Sequence, residues 1–145
     1  MLELLIRYCH FLGIIALFVT LVGEHLLVTP QMDRTTLKRV GRLDAIYGIA
    51  AGIVLAAGLY LWFAGSKGAA FYSANPIFHI KVTLFVVVGL LSIYPTVFFL
   101  RSRKLPGEII AVPRKIIVLI RAQLALLLVI PLLAVLMARG IGLSG

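Results

Sequence analysis

The sequence predicts an all-α integral membrane fold: a four-helix transmembrane bundle running up-down-up-down. Three observations carry that prediction. Of 145 residues, 62% are hydrophobic and the mean hydropathy is +1.12. Only 13% are charged. The charges are also gathered between four apolar runs, Tyr8–Gly23, Ala45–Ser66, Val82–Leu100 and Ala122–Ala138, which contain no Asp, Glu, Lys or Arg. A soluble domain of this length cannot bury so much apolar surface. With their flanks the runs approach the ~20 residues that cross a hydrocarbon core. They lack the period-2 alternation of a membrane barrel, so helices are the expected element.

One transmembrane domain is expected over 1–145, with helices at 3–29, 37–65, 76–100 and 113–139. Helix 1 carries no small-residue cleavage site after it and should remain as an anchor. Its single cysteine, Cys9, excludes an internal disulfide and reads as a packing residue. Thr29-Pro30 should end helix 1, and Thr35 or Thr36 should cap helix 2. Asn75-Pro76 is a cap followed by a first-turn proline for helix 3. Leu105-Pro106-Gly107 breaks the third connection. Pro95 and Pro131, with Ser92 and Thr96 nearby, read as kinks and local hydrogen-bonding devices.

The formal charge of +9 does not point to nucleic acid, because the basic residues sit in turns. There they act as topology signals and contacts for anionic lipid. The first connection carries Arg34, Lys38, Arg39 and Arg42; the third carries Arg101, Arg103, Lys104, Arg114 and Lys115. The second offers only Lys67, with Lys81 just inside helix 3. Positive-inside bias therefore places connections 1 and 3 in the cytoplasm and both termini outside, in the periplasm of a bacterial inner (cytoplasmic) membrane. Tyr60, Trp62, Phe63, Phe71 and Tyr72 then form an outer aromatic belt.

Ionisable side chains are costly in a bilayer, so each one marks a candidate site. Helices 1 and 3 start from the same side and should be diagonal in the bundle. His10 and His79 then lie at similar depth near the outer face, the arrangement that bis-histidine ligation of a haem b iron needs. On helix 2, Gly48, Ala51, Gly52, Leu55 and Gly58 approximate one face. Gly48 and Gly52 would admit a flat porphyrin there, or form a small-residue packing seam. Lys81 either snorkels outward or turns inward to pair with a propionate or another acidic ligand. His79 also has a plainer reading as an interfacial residue, wet at its tip.

A second polar cluster lies toward the cytoplasmic side: Glu24 and His25 close helix 1, Asp44 opens helix 2, and Arg121 and Gln123 open helix 4. A structural ion pair of Glu24 or Asp44 with Arg121 or Arg42 would lower the cost of burial; a proton relay is the other reading. His25 has no second histidine at its depth, which excludes a second bis-histidine site.

Several motifs together, Tyr8-Cys9-His10, Glu24-His25, Arg42-Leu43-Asp44, Tyr47-Gly48, Asn75-Pro76, Phe78, Lys81 and Pro95-Thr96, resemble a family of small four-helix bacterial membrane proteins catalogued as a domain of unknown function. The resemblance covers nearly the whole chain and implies the fold. More distantly, His10, Arg42-Leu43 and His79-x-Lys81 are similar to HemJ-type protoporphyrinogen oxidases, and the layout to CopD-like membrane proteins. The HemJ resemblance implies haem b. Where those oxidases carry a Tyr-His pair late in helix 3, this chain has Ser92 and Tyr94.

These readings converge on a haem b-binding membrane protein with an electron-transfer or porphyrin-oxidising role, its haem held near the outer face between helices 1 and 3. Quinone, respiratory-chain subunits and a homo-oligomer are the expected partners beyond lipid. The alternative is a cofactor-free accessory subunit of a larger membrane complex. A CopD-type transporter is weakened by three histidines, one cysteine and scattered methionines. Orientation has a direct check. In a Cys9→Ser background, Lys38→Cys and Lys104→Cys should be shielded from an impermeant maleimide in intact cells, and Ala74→Cys should be labelled. The reverse pattern would invert the topology.

Overall fold

The computed structural model describes residues 1–65, 70 and 73–139, so Lys67, Phe71 and Tyr72 lie outside the described residues. The chain forms α1 (Leu2–Leu27), β1 (Gln31–Asp33), α2 (Arg34–Ala64), α3 (Pro76–Ser102), β2 (Ile109–Ala111) and α4 (Arg114–Ala138). All four helices are long and apolar enough to cross a membrane.

Local chemistry accounts for the start of α3 and the close of α1. Asn75 caps α3: its side chain accepts a hydrogen bond from the Ile77 amide at 2.9 Å, and Pro76 occupies the first turn. α1 stops at Leu27, and the Thr29 hydroxyl turns to the Gln31 carbonyl at 2.6 Å. α2 starts at Arg34, with Asp33 rather than Thr35 or Thr36 at the cap position. α3 and α4 continue through Pro95 and Pro131. Polar side chains within α3 bond back to their own helix, as Ser102 does to the Phe98 carbonyl at 2.6 Å.

The two strands correct the expectation of a purely helical chain. β1 and β2 pair antiparallel, with Gln31 opposite Ala111, Met32 opposite Ile110 and Asp33 opposite Ile109. The pairing extends on both sides. Pro30 accepts from the Val112 amide at 2.8 Å, and Glu108 accepts from the Arg34 amide at 2.9 Å. Extended backbone at a membrane surface must satisfy its N–H and C=O groups, and the two connections at this end do so with each other. Met32 and Ile110 are buried between the hairpins, while their strand neighbours are exposed.

Arg34 locks this junction. Its guanidinium donates to the carbonyls of Gly107 (2.8 and 3.1 Å), Arg103 (3.4 Å) and Leu105. Gly107 sits at φ +99°, a backbone region that disfavours any side chain, and this turns its carbonyl toward the arginine.

Within the bundle, α1 packs along α2 and α3 along α4; the two hairpins meet more sparsely, through α1 with α4 and α2 with α3. α1 and α3 are diagonal, as expected. The close approach of α1 to α2 rests on Gly13 and Gly23. A Cβ at Gly13 would come within 2.7 Å of Val54 Cγ2, and one at Gly23 within 2.9 Å of a Leu43 methyl. The core holds Leu17, Leu21, Val40, Tyr47, Val54, Ile116 and Ile120. Phe11, Ile49, Leu90 and Leu128 point outward, as lipid-facing residues do. Cys9 is also on the outer surface rather than packed inside.

Two outcomes follow for stability in detergent. Gly13→Ala should lower it by about 1–3 kcal/mol through overpacking, with Val54→Ala in the same chain recovering part of the loss. Arg34→Ala removes charge-assisted bonds worth roughly 1.5–3 kcal/mol each in favourable cases. It should destabilise the protein far more than Arg39→Ala, whose side chain is exposed. Thermal unfolding of the purified variants measures both.

Candidate functional site

Two polar centres lie at different depths of the bundle. The first is built around His10. Its imidazole crosses to α2 and donates from Nδ1 to the Val54 carbonyl at 3.2 Å. Gly58, one turn further along α2, makes the space: a Cβ there would be 3.4 Å from His10 Cε1. Because Val54 offers only an acceptor, Nδ1 carries the proton and the lone pair is left on Nε2. Lys81 is half-buried and lies within electrostatic reach of this ring, as does Arg7. Arg7 also approaches Glu3, one turn earlier, at 4.0 Å.

His79 does not join His10. It is exposed, and its Nε2 donates to the Ser73 carbonyl at 2.7 Å. Its ring meets Phe78 edge to face at 5.7 Å; Phe78 in turn packs on Trp62, whose indole N–H donates to the Ser73 hydroxyl at 3.1 Å. His79 therefore helps shape the second connection, whereas His10 is bonded to α2. Lys81 lies two residues on, roughly 200° around the helix, and so takes the inward sector. Gly48 and Gly52 are exposed, and a Cβ at either would meet nothing within 4 Å. Of the small residues on α2, Gly58 is the one that accommodates an imidazole.

The second centre is the more enclosed. Glu24 of α1 is 2% exposed, Asp44 of α2 6%, Tyr47 3% and Gln123 of α4 1%. The Glu24 and Asp44 carboxyl groups face each other, with Tyr47 beside both. The Tyr47 hydroxyl donates to Gln123 Oε1 at 3.0 Å, and Gln123 Nε2 donates to the Leu119 carbonyl at 3.2 Å. Glu24 Oε1 is buried without a hydrogen-bond partner.

The expected pairing of these carboxyls with Arg42 or Arg121 does not form; both arginines are exposed, and the ion pair among the described residues is Arg7 with Glu3. Helix geometry explains this. Arg42 precedes Asp44 by two residues, and Arg121 precedes Gln123 by two. Each arginine is therefore turned roughly 200° away from the polar residue that enters the core. A cavity of about 180 Å³ reaches Asp44 from the basic end of the bundle, lined by Gly41, Gly48, Thr96, Phe99 and Arg103.

Tyr47 is the member of this centre that pattern reading passed over as a functional group. The available signal was its spacing, three residues after Asp44 and so on the same face. Tyr47→Phe leaves the buried Gln123 oxygen unsatisfied. It should cost about 1–3 kcal/mol of stability by chemical or thermal unfolding, and Gln123→Leu added to it should restore part of that loss.

No match was found among curated proteins or among solved structures. The more distant likeness to HemJ-type and CopD-like proteins gains no support from these comparisons. The family described as "Predicted membrane protein (DUF2214)" matches residues 2–142. That match runs over nearly the whole chain, and the protein belongs to this family of membrane proteins of unknown function.

Proposed function

We propose that this multi-pass membrane protein is a proton-coupled protein whose working group is the Glu24–Asp44 carboxyl pair. One observation carries the reading: two buried carboxyl groups face each other with no cation at ion-pair distance among the described residues. Two carboxylates buried side by side repel each other at high cost, and a proton held between them is what lowers that cost where no cation stands near. Tyr47 and Gln123 hold fixed dipoles at its edge, and the cavity lined by Thr96 and Arg103 offers the route from the basic end. On this reading the pair takes up one proton through that cavity and releases it by the same route. Buried, membrane-embedded carboxyls without a cation are the groups from which proton relays are built.

Infrared difference spectroscopy of the protein in nanodiscs at neutral pH tests this. The wild type should show the C=O band of a protonated carboxyl, lost in Glu24→Gln and shifted in Asp44→Asn. Absence of that band in folded wild type would remove the reading.

A second reading, haem b held by His10, is favoured by a separate observation. An Nδ1–H bonded to a backbone carbonyl, with Nε2 left open, is how metal-ligating histidines are oriented. Bound haem would supply one-electron chemistry, with quinone or respiratory subunits as candidate partners. Of the residues present, His10 would hold the iron through its open Nε2 and Lys81 would offer a positive charge to a propionate, while His79 is bonded to Ser73. Absorption spectra of protein expressed with haem supplied, before and after reduction, decide it. Haem bands should vanish in His10→Ala and persist in His79→Ala; a colourless wild type would leave the alternative, a cofactor-free subunit.

A further inference from the structure

At the basic end, between the close of α1 and the start of α4, a cavity of about 520 Å³ is lined by His25, Arg114 and Arg121 above apolar walls of Val28, Val112 and Ile117. Arg114, Ile117 and Arg121 follow the three- and four-residue spacing of one helix face, so the two guanidinium groups address the same space. No carboxylate lines the cavity. The side chains of Arg114, Arg121 and His25 have no ion pair or hydrogen bond among the described residues. Arg121 stands two turns into an apolar helix, roughly 10 Å from Arg114 along the axis. An arginine at that position without a protein partner is a strong demand for an anion. The Glu24 and Asp44 carboxyls are turned into the core and do not supply it.

We infer that this cavity is a binding site for the phosphate of an anionic phospholipid, with Arg121 and Arg114 as forked donors, His25 at the rim and the acyl chains leaving over Val28 and Ile117. A planar guanidinium matches phosphate oxygens in bidentate fashion. Basic pockets between membrane helices at the cytoplasmic side are suited to anionic headgroups. The apolar walls and the position at the helix ends favour a lipid over free phosphate. The inference is independent of the carboxyl-pair reading, since none of its residues belongs to that centre.

The test titrates the purified, delipidated protein in detergent with phosphatidylglycerol, phosphatidylcholine or inorganic phosphate, following bound lipid by native mass spectrometry and unfolding temperature in parallel. Phosphatidylglycerol should bind and raise the unfolding temperature; phosphatidylcholine and inorganic phosphate should not. Arg121→Gln should weaken phosphatidylglycerol binding roughly tenfold, the scale of one charge-assisted hydrogen bond. Arg114→Gln/Arg121→Gln should abolish the preference for it, and the unfolding temperature without lipid should stay at the wild-type value. Arg39→Gln, an exposed control on α2, should bind as wild type. Equal binding of both lipids, equal stabilisation by inorganic phosphate, or an equal loss in Arg39→Gln would each overturn the assignment.

Discussion

The arrangement of this bundle depends on how the two connections at its basic end satisfy their own backbone. The α1–α2 and α3–α4 hairpins are each well packed, but they share little helix–helix surface. In lipid there is no general hydrophobic force to press them together. Beyond those helix contacts, they are joined by a three-residue antiparallel ladder and the Arg34 guanidinium, which gathers the carbonyls of Arg103, Leu105 and Gly107 from the opposite hairpin. The polar centre needs this junction, because Glu24, Asp44 and Tyr47 belong to one hairpin and Gln123 to the other. A shift between hairpins would separate Tyr47 from Gln123 and leave two more buried polar atoms unsatisfied.

The helices were legible because the bilayer imposes length and composition together. The Asn75-Pro76 cap was legible because its chemistry is local. The strand pair was not: three residues carry no usable alternation, and their partners lie in a distant connection. Arg34 read as one more topology charge, since nothing in a single sequence shows that a guanidinium will meet carbonyls some seventy residues away. For the candidate sites, residue type was readable and direction was not. His10 and His79 both stand toward the end of the bundle away from the basic connections, but a rotation about the helix axis decides whether two rings meet. His79 turns to Ser73, and His10 turns to Val54 over Gly58. The Glu24–Asp44–Gln123 cluster was visible as costly residues at one depth. The expected counter-charges, Arg42 and Arg121, do not reach it, because their two-residue offsets from Asp44 and Gln123 place them on the outer faces.

The molecule thus holds ionisable groups of opposite character at two levels, separated by roughly 21 Å along α1 between His10 and Glu24. Near the basic end the carboxyls are inside and the arginines outside. That separation departs from the usual economy of buried charge, in which each ion finds a counter-ion within the protein. Both halves then look beyond the protein for neutralisation: the carboxyls to a proton, the arginines to an anion at the membrane surface.

The stability of Glu24→Gln, measured as unfolding free energy in a bilayer mimic, tests this account most directly. If Glu24 shares a proton with Asp44, the amide replaces a protonated carboxyl of nearly the same shape, and the change should stay within about 1 kcal/mol. If Glu24 is instead ionised against a buried cation, removing it strands that charge. A loss of about 3–5 kcal/mol would follow and contradict the account.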